Sequence, residues 1–174
     1  MSAEPGGAVA AQPGIDRRNL WTFGVGTVGR DMVYTLVSLY LVFFLSDVLR
    51  PSPEAFLWAT SLILVVRLFD AVTDILMGAI VDNTRTRWGH YKPWIAIGAV
   101  ASAIVTVLLF TDFGLRGPGF VALFAVVYLL WGLSWTANDI PYWSMLPALT
   151  LDQKKRESIG SLAKVFATIG LFSV

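Results

Sequence analysis

The sequence predicts an all-α, polytopic membrane protein, and three observations carry that prediction. Of its 174 residues 56% are apolar and only 14% charged, where a soluble domain of this size would be about a quarter charged. Several apolar runs reach the ~20 residues that a helix needs to cross a bilayer. Lys and Arg gather in alternate connecting segments, as they do in membrane proteins with fixed orientation. The net charge of +1 leaves no basic footprint for nucleic acid. There is no cysteine, so no disulfide framework or thiolate chemistry, and the single histidine, His90, cannot join others in a metal cluster.

The elements follow in order. Residues 1–18, rich in Ala, Gly and Pro, lack the basic start and apolar core of a signal peptide and read as a flexible cytoplasmic tail. Four spans are expected at about Leu20–Leu49, Glu54–Val81, Pro93–Thr111 and Phe120–Leu146. A fifth opens near Ser158 and is still apolar at Val174, so residues 19–174 are expected to be a helical bundle truncated in its fifth span. Arg17, Arg18, Arg85, Arg87, Lys92, Lys154, Lys155 and Arg156 fall on one side and only Arg50 and Arg116 on the other, which puts the N-terminus in the cytoplasm.

Charges inside spans cost several kcal/mol, so each needs a reason. In "RLFDAVTD", Arg67, Asp70 and Asp74 share one helical stripe, flanked by Thr73. One reading is an ion-pair network in which Arg67 neutralises two acids and pins helices together. Two acids beside one base leave excess negative charge, however, and carboxylates in low dielectric stay ionised together only with a further cation. Asp70, Asp74 and Thr73 offer the oxygen ligands that a hard cation such as sodium prefers, and a bound proton would serve equally.

The first span carries Arg30 and Asp31. The fourth carries Asp139, with Trp135 four residues before, Thr136 three before and Trp143 four after, all expected on one face. Pro141 is expected to kink that helix. Asp31, Asp70, Asp74, Asp139 and Lys164 all lie roughly 9–17 Å in from the cytoplasmic boundary at 1.5 Å per residue, the layer where transporters place their sites. A tryptophan face beside carboxylates suits a sugar, with its apolar C–H face and ring of hydroxyls. The competing reading makes Trp143 an interfacial anchor, while Trp131 and Trp58 read as packing or belt residues. In the loop "VDNTRTRWGHYKPW", the basic residues satisfy the orientation rule. Gly78, Asp82, Arg85 and Arg87 also have the spacing of a charged clasp that could break and re-form between half-bundles.

Together, "RLFDAVTD…MGAIVDNTRTRWGHYKPW" and "WTANDIPYWSMLPALTLD" resemble the glycoside–pentoside–hexuronide cation symporters of the major facilitator superfamily, from about Leu20 to the end. That resemblance implies a fold of two six-helix halves, with about five helices of the N-terminal half present out of twelve. It implies that Asp70 and Asp74, with Thr73 and Thr136, bind the coupling cation, Na+ or H+. It also implies that Asp31, Trp135, Asp139 and Trp143 bind a sugar, in a cell-membrane protein that needs no cofactor and is no enzyme. Arg30 and Lys164 join the substrate set, Lys164 standing where melibiose permease, a member of the family, has an arginine. Thr73 replaces an asparagine of that member, and Ile75 replaces a proline common after the second acid. The superfamily's lysolipid carriers make an amphiphile the alternative cargo. An intramembrane aspartyl protease is a further alternative, but its two acids should sit on different helices, whereas the tightest pair here shares one. A structural or sensor protein would lose stability rather than flux when the acids are removed.

Overall fold

The computed structural model describes residues 17–149 and 153–174, with side chains from Trp21 onward. Five α-helices form among the described residues: α1 (Arg17–Phe43), α2 (Pro53–Asn83), α3 (Lys92–Leu109), α4 (Pro118–Leu149) and α5 (Gln153–Phe172). No strand occurs among the described residues. Arg17 and Arg18, expected in the tail, are already helical, and the rest of that tail lies outside the described residues. Lys154, Lys155 and Arg156, expected in a loop, open α5.

Local chemistry explains the boundaries. α1 continues into a π-helical stretch, Phe44–Leu49, which stops at Arg50 in the left-handed region (φ 44°) with its Nε donating to the Asp47 carbonyl at 2.8 Å. Pro51 follows and cannot continue the ladder. Ser52 then caps α2, its hydroxyl oxygen accepting from the Ala55 amide at 3.3 Å, and Pro53 occupies the first turn, where no amide donor is needed. The loop between α3 and α4 is tied by Arg116, which donates to Asp112 at 3.1 Å. That bond, with one from the Gly114 amide, holds the Asp112 carboxyl below its ordinary range.

α4 is the organising helix and packs against α3, α2 and, more lightly, α5, while α1 packs on α5. The main core joins Val37, Leu41 and Leu45 of the first helix to Ala59 and Val66 of α2, Val105 of α3, and Phe124, Tyr128 and Trp131 of α4. Trp131 is 1% exposed and donates to Thr106 Oγ1 at 3.2 Å, which fits its reading as a packing residue, whereas Trp58 is exposed. Many large apolar side chains face outward on every helix, as expected where lipid or further helices replace water.

Among the described residues, three helical stretches are long and apolar enough to cross a membrane by length and composition: Trp21–Leu49, Lys92–Leu109 and Pro118–Leu149. Five had been expected. Of the remaining two, α5 has its apolar run diluted by a charged start, and α2 carries Arg67, Asp70 and Asp74 within an otherwise apolar helix.

α4 runs unbroken through Pro141 and Pro147. Pro141 has no amide hydrogen for the Ala137 carbonyl four residues back, and α3 approaches α4 closely there. A Cβ on Gly98 would lie 2.5 Å from the Asn138 amide nitrogen and 2.9 Å from the Ala137 carbonyl carbon. The Asn138 side chain then ties the two helices, Nδ2 donating to the Ile95 carbonyl at 2.8 Å. Because the obstacle is backbone, Gly98→Val is expected to separate α3 from α4 and to destabilise the protein by about 1–3 kcal/mol or more. A detergent-solubilised variant that melts with the wild type would contradict this packing.

Candidate functional site

Arg30 is the hub of the site. Its guanidinium spans two acids on different helices: Nη1 is 2.6 Å from Asp139 Oδ1 on α4, and Nη2 is 3.2 Å from Asp31 Oδ1 on α1. The Arg30 side chain is only 9% exposed. Three aromatic faces surround it, with Tyr142 4.5 Å, Trp143 5.2 Å and Trp135 5.5 Å from the guanidinium carbon. Such contacts strengthen when water is excluded. Trp143 Nε1 also donates to Asp139 Oδ1 at 3.1 Å, so this tryptophan serves the acid rather than only anchoring an interface.

α4 sets this up by periodicity. Trp135, Asp139 and Trp143, four apart, form one stripe toward α1. Tyr142 completes it, stacking on Phe23 and donating to the Phe23 carbonyl, with Thr27 Oγ1 2.5 Å from its hydroxyl. A cavity of about 210 Å³ lies beside the hub toward α3, lined by Gly26, Gly29, Arg30, Ser102, Trp135 and Asn138 among others. Arg30 Nε, Asp31 Oδ2 and Asn138 Oδ1 are buried with no partner among the described residues. They leave one donor and two acceptor positions, a set that hydroxyl groups can satisfy.

The second group lies where α2 crosses α4. Thr136, expected on the face of Asp139 and the tryptophans, instead turns to α2 and donates to Asp74 Oδ1 at 3.0 Å. Asp70 lies over Gly132, one turn earlier on α4. Arg67 does not neutralise both acids. Its Nη1 is 3.9 Å from Asp70 Oδ2, and the guanidinium otherwise stands 5.6 Å over Tyr34 of α1 and 5.9 Å over Trp131 of α4. Thr73 is buried with its hydroxyl donating to the Asp70 carbonyl at 2.9 Å, which leaves the oxygen lone pairs for a ligand but uses its proton within the helix.

Lys164 and the four clasp residues stand apart from both groups. Lys164 is exposed on α5 and forms no ion pair among the described residues. Asp82, Arg85 and Arg87 are exposed, Gly78 is half-buried, and the three charged residues form no ion pair with one another. Sequence reasoning passed over Tyr34, Asn138, Tyr142 and Gly132. Tyr142 and Asn138 are an i, i+4 pair flanking Asp139, and Tyr34 is one turn beyond Arg30, so a helical projection around the charged positions would have found them. The geometry gives the aspartyl protease reading no support: among the described residues Asp139 is held by Arg30 and Asp74 accepts from Thr136.

Apolar helices around a buried, aromatic-lined cluster of charges are an arrangement that membrane transporters use. Residues 22–174 match the family model described as MFS/sugar transport protein. The chain belongs to that family, and its resemblance to the glycoside–pentoside–hexuronide cation symporters holds. It is 32% identical to the lactose permease of Lactobacillus delbrueckii subsp. bulgaricus, over 86% of this chain and 25% of that protein. It is 31% identical to the raffinose carrier protein of Pediococcus pentosaceus, over 85% and 25%, and 34% identical to the inner membrane symporter YicJ of Escherichia coli, over 85% and 32%. The chain thus spans a quarter to a third of the length of these relatives.

Proposed function

We propose that this protein takes part in cation-coupled symport of a sugar or glycoside, with Na+ or H+ as the coupling ion. One observation carries the reading: α4 connects two polar groups. Thr136 touches Asp74 of the acidic stripe on α2, and Asp139, three residues later, is held by Arg30 beside Asp31. A cation drawn to Asp70 and Asp74 and a sugar drawn to the Arg30 cluster would therefore act on neighbouring turns of one helix, a contiguous route for coupling free energy.

In this reading Arg30, Asp31, Asp139 and the rings of Trp135 and Trp143 hold the sugar, and Asp70, Asp74, Thr73 and Thr136 hold the ion. Lys164 would join them only in a state in which α5, already packed on α1, turns that side chain toward the cluster. Gly78, Asp82, Arg85 and Arg87 would meet partners on another part of the transporter as it alternates between its two openings. The N-terminus is cytoplasmic, as the basic residues direct. The relatives named as lactose and raffinose carriers support an oligosaccharide or galactoside cargo. The test is uptake of a panel of labelled sugars into vesicles bearing the full-length protein, with and without a sodium or proton gradient. Gradient-stimulated accumulation of at least one sugar is expected, and none across the panel under either gradient would overturn the proposal.

A further inference from the structure

Two guanidinium groups share one aromatic cluster. Arg67, loosely paired with Asp70 at 3.9 Å, stands 5.6 Å over the Tyr34 ring and 5.9 Å over Trp131. Arg30, which holds Asp139, stands 5.5 Å over Trp135. Tyr34 joins the two ends. Its ring centre is 4.8 Å from that of Trp135, with the planes tilted by 34°, and 6.1 Å from that of Trp131. A series of contacts therefore runs from Asp70 through Arg67, Tyr34, Trp135 and Arg30 to Asp139. The rings differ in freedom. Trp131 is 1% exposed and pinned by the bond from its Nε1 to Thr106 Oγ1, so it is a fixed wall. Tyr34 is half-buried at the edge of the core, one turn along α1 from Arg30.

We propose that Tyr34 is a positioning residue through which the ion site and the sugar site set each other's affinity: its ring carries the Arg67 guanidinium and supports the Trp135 face. This rests on Asp70 and Asp74 binding the ion and the Arg30 cluster binding the sugar. Arg67 divides its charge between Asp70 and the two rings beneath it. An ion on Asp70 satisfies the carboxylate and releases Arg67 toward the rings, where a desolvated cation is well held. Trp131 is fixed, so Tyr34 is the ring that adjusts. Trp135 leans on Tyr34 and lies beside Arg30, so it is held at one tilt for the apolar face of a sugar. The reverse also follows. A sugar on Trp135 fixes Tyr34, draws Arg67 off Asp70, and leaves that carboxylate to the ion. α4 joins the two sites separately, through Thr136 and Asp139, so Tyr34 carries part of the coupling.

The purified full-length protein would be titrated calorimetrically with lactose and with raffinose, across a series of NaCl concentrations and, in parallel, across pH. The quantity read is the coupling factor, the ratio of sugar affinities with and without saturating ion, about 5- to 150-fold in linked systems. Tyr34→Leu is expected to lower that factor by about 3- to 10-fold, equivalent to the loss of one partly desolvated cation–π contact. Tyr34→Met, a flexible filling of the same space, should do the same and guards against a leucine variant that fails to fold. Tyr34→Phe keeps the ring and should keep the factor. The effect of sugar on ion affinity must shrink by the same factor, because coupling is reciprocal. Damage confined to one site would instead lower that site's own affinity and leave the factor intact. Arg67→Gln completes a cycle: if Arg67 acts through Tyr34, the double variant with Tyr34→Leu loses no more coupling than the larger single loss. A wild type that binds sugar with no dependence on sodium or pH overturns the ion-site reading and this proposal together. An ion-dependent wild type with an unchanged factor in Tyr34→Leu and Tyr34→Met overturns the role of Tyr34 alone. So does a Tyr34→Phe protein that loses as much as Tyr34→Leu, or a double variant in which the two losses multiply.

Discussion

Arg30→Ala is expected to abolish sugar binding and to destabilise the protein by about 3–5 kcal/mol, the usual cost of removing one member of a buried charge cluster. The Arg30 side chain is 9% exposed and is the only cation paired with Asp31 or Asp139 among the described residues. Its loss leaves two carboxylates in one apolar layer without compensation, and it removes the cation from above Tyr142, Trp143 and Trp135. Arg30→Lys separates charge from shape. A lysine keeps the positive charge but has one compact ammonium where the guanidinium presents a planar fork. It cannot reproduce bonds of 2.6 Å to one helix and 3.2 Å within another. Most of the stability should return with lysine, and only part of the sugar affinity. Chemical denaturation in detergent reads the first quantity and calorimetric sugar titration the second. A folded Arg30→Ala protein with wild-type sugar affinity would show that the cluster is structural.

What the sequence made legible was depth, and what it left hidden was direction. Each helical residue adds a fixed 1.5 Å of rise but turns the side chain by about 100°. Counting from span ends therefore placed Asp31, Asp70, Asp74, Asp139 and Lys164 in one layer, while their facing partners depended on how each helix is rolled. Lys164 shares the depth of the cluster yet is exposed on α5. Thr136 shares the α4 surface with Asp139 yet turns to α2. The roll of α4 is set by close approaches that apolar periodicity does not report, such as Gly98 against the backbone of Ala137 and Asn138. Arg30 and Asp139, 109 positions apart, become partners only once that roll is fixed. Helix boundaries were easier, because Ser52-Pro53 and Lys92-Pro93 mark starts by their own chemistry.

The second large effect is expected on α2, where Asp74→Asn should eliminate ion-driven accumulation while leaving sugar binding measurable. Asp74 carries the charge with least compensation. Among the described residues Arg67 pairs only with Asp70, at 3.9 Å, and Asp74 accepts from the neutral hydroxyl of Thr136 at 3.0 Å. A carboxylate in such a place attracts a cation strongly. The amide of Asn keeps the size of the side chain and can still accept from Thr136 through its carbonyl oxygen, so packing of α2 on α4 should survive. What is lost is the negative charge, and with it about 2 kcal/mol or more of ion affinity, as for other desolvated charged contacts. Asp70→Asn should act in the same direction but less completely, because part of the Asp70 charge is already balanced by Arg67. The Arg30 cluster, on another stripe of α4 and on α1, keeps its own acids in both variants. Ion-driven uptake and equilibrium sugar binding, measured on the same preparations, separate these effects. Normal gradient-driven accumulation in both variants would remove Asp70 and Asp74 from the coupling site.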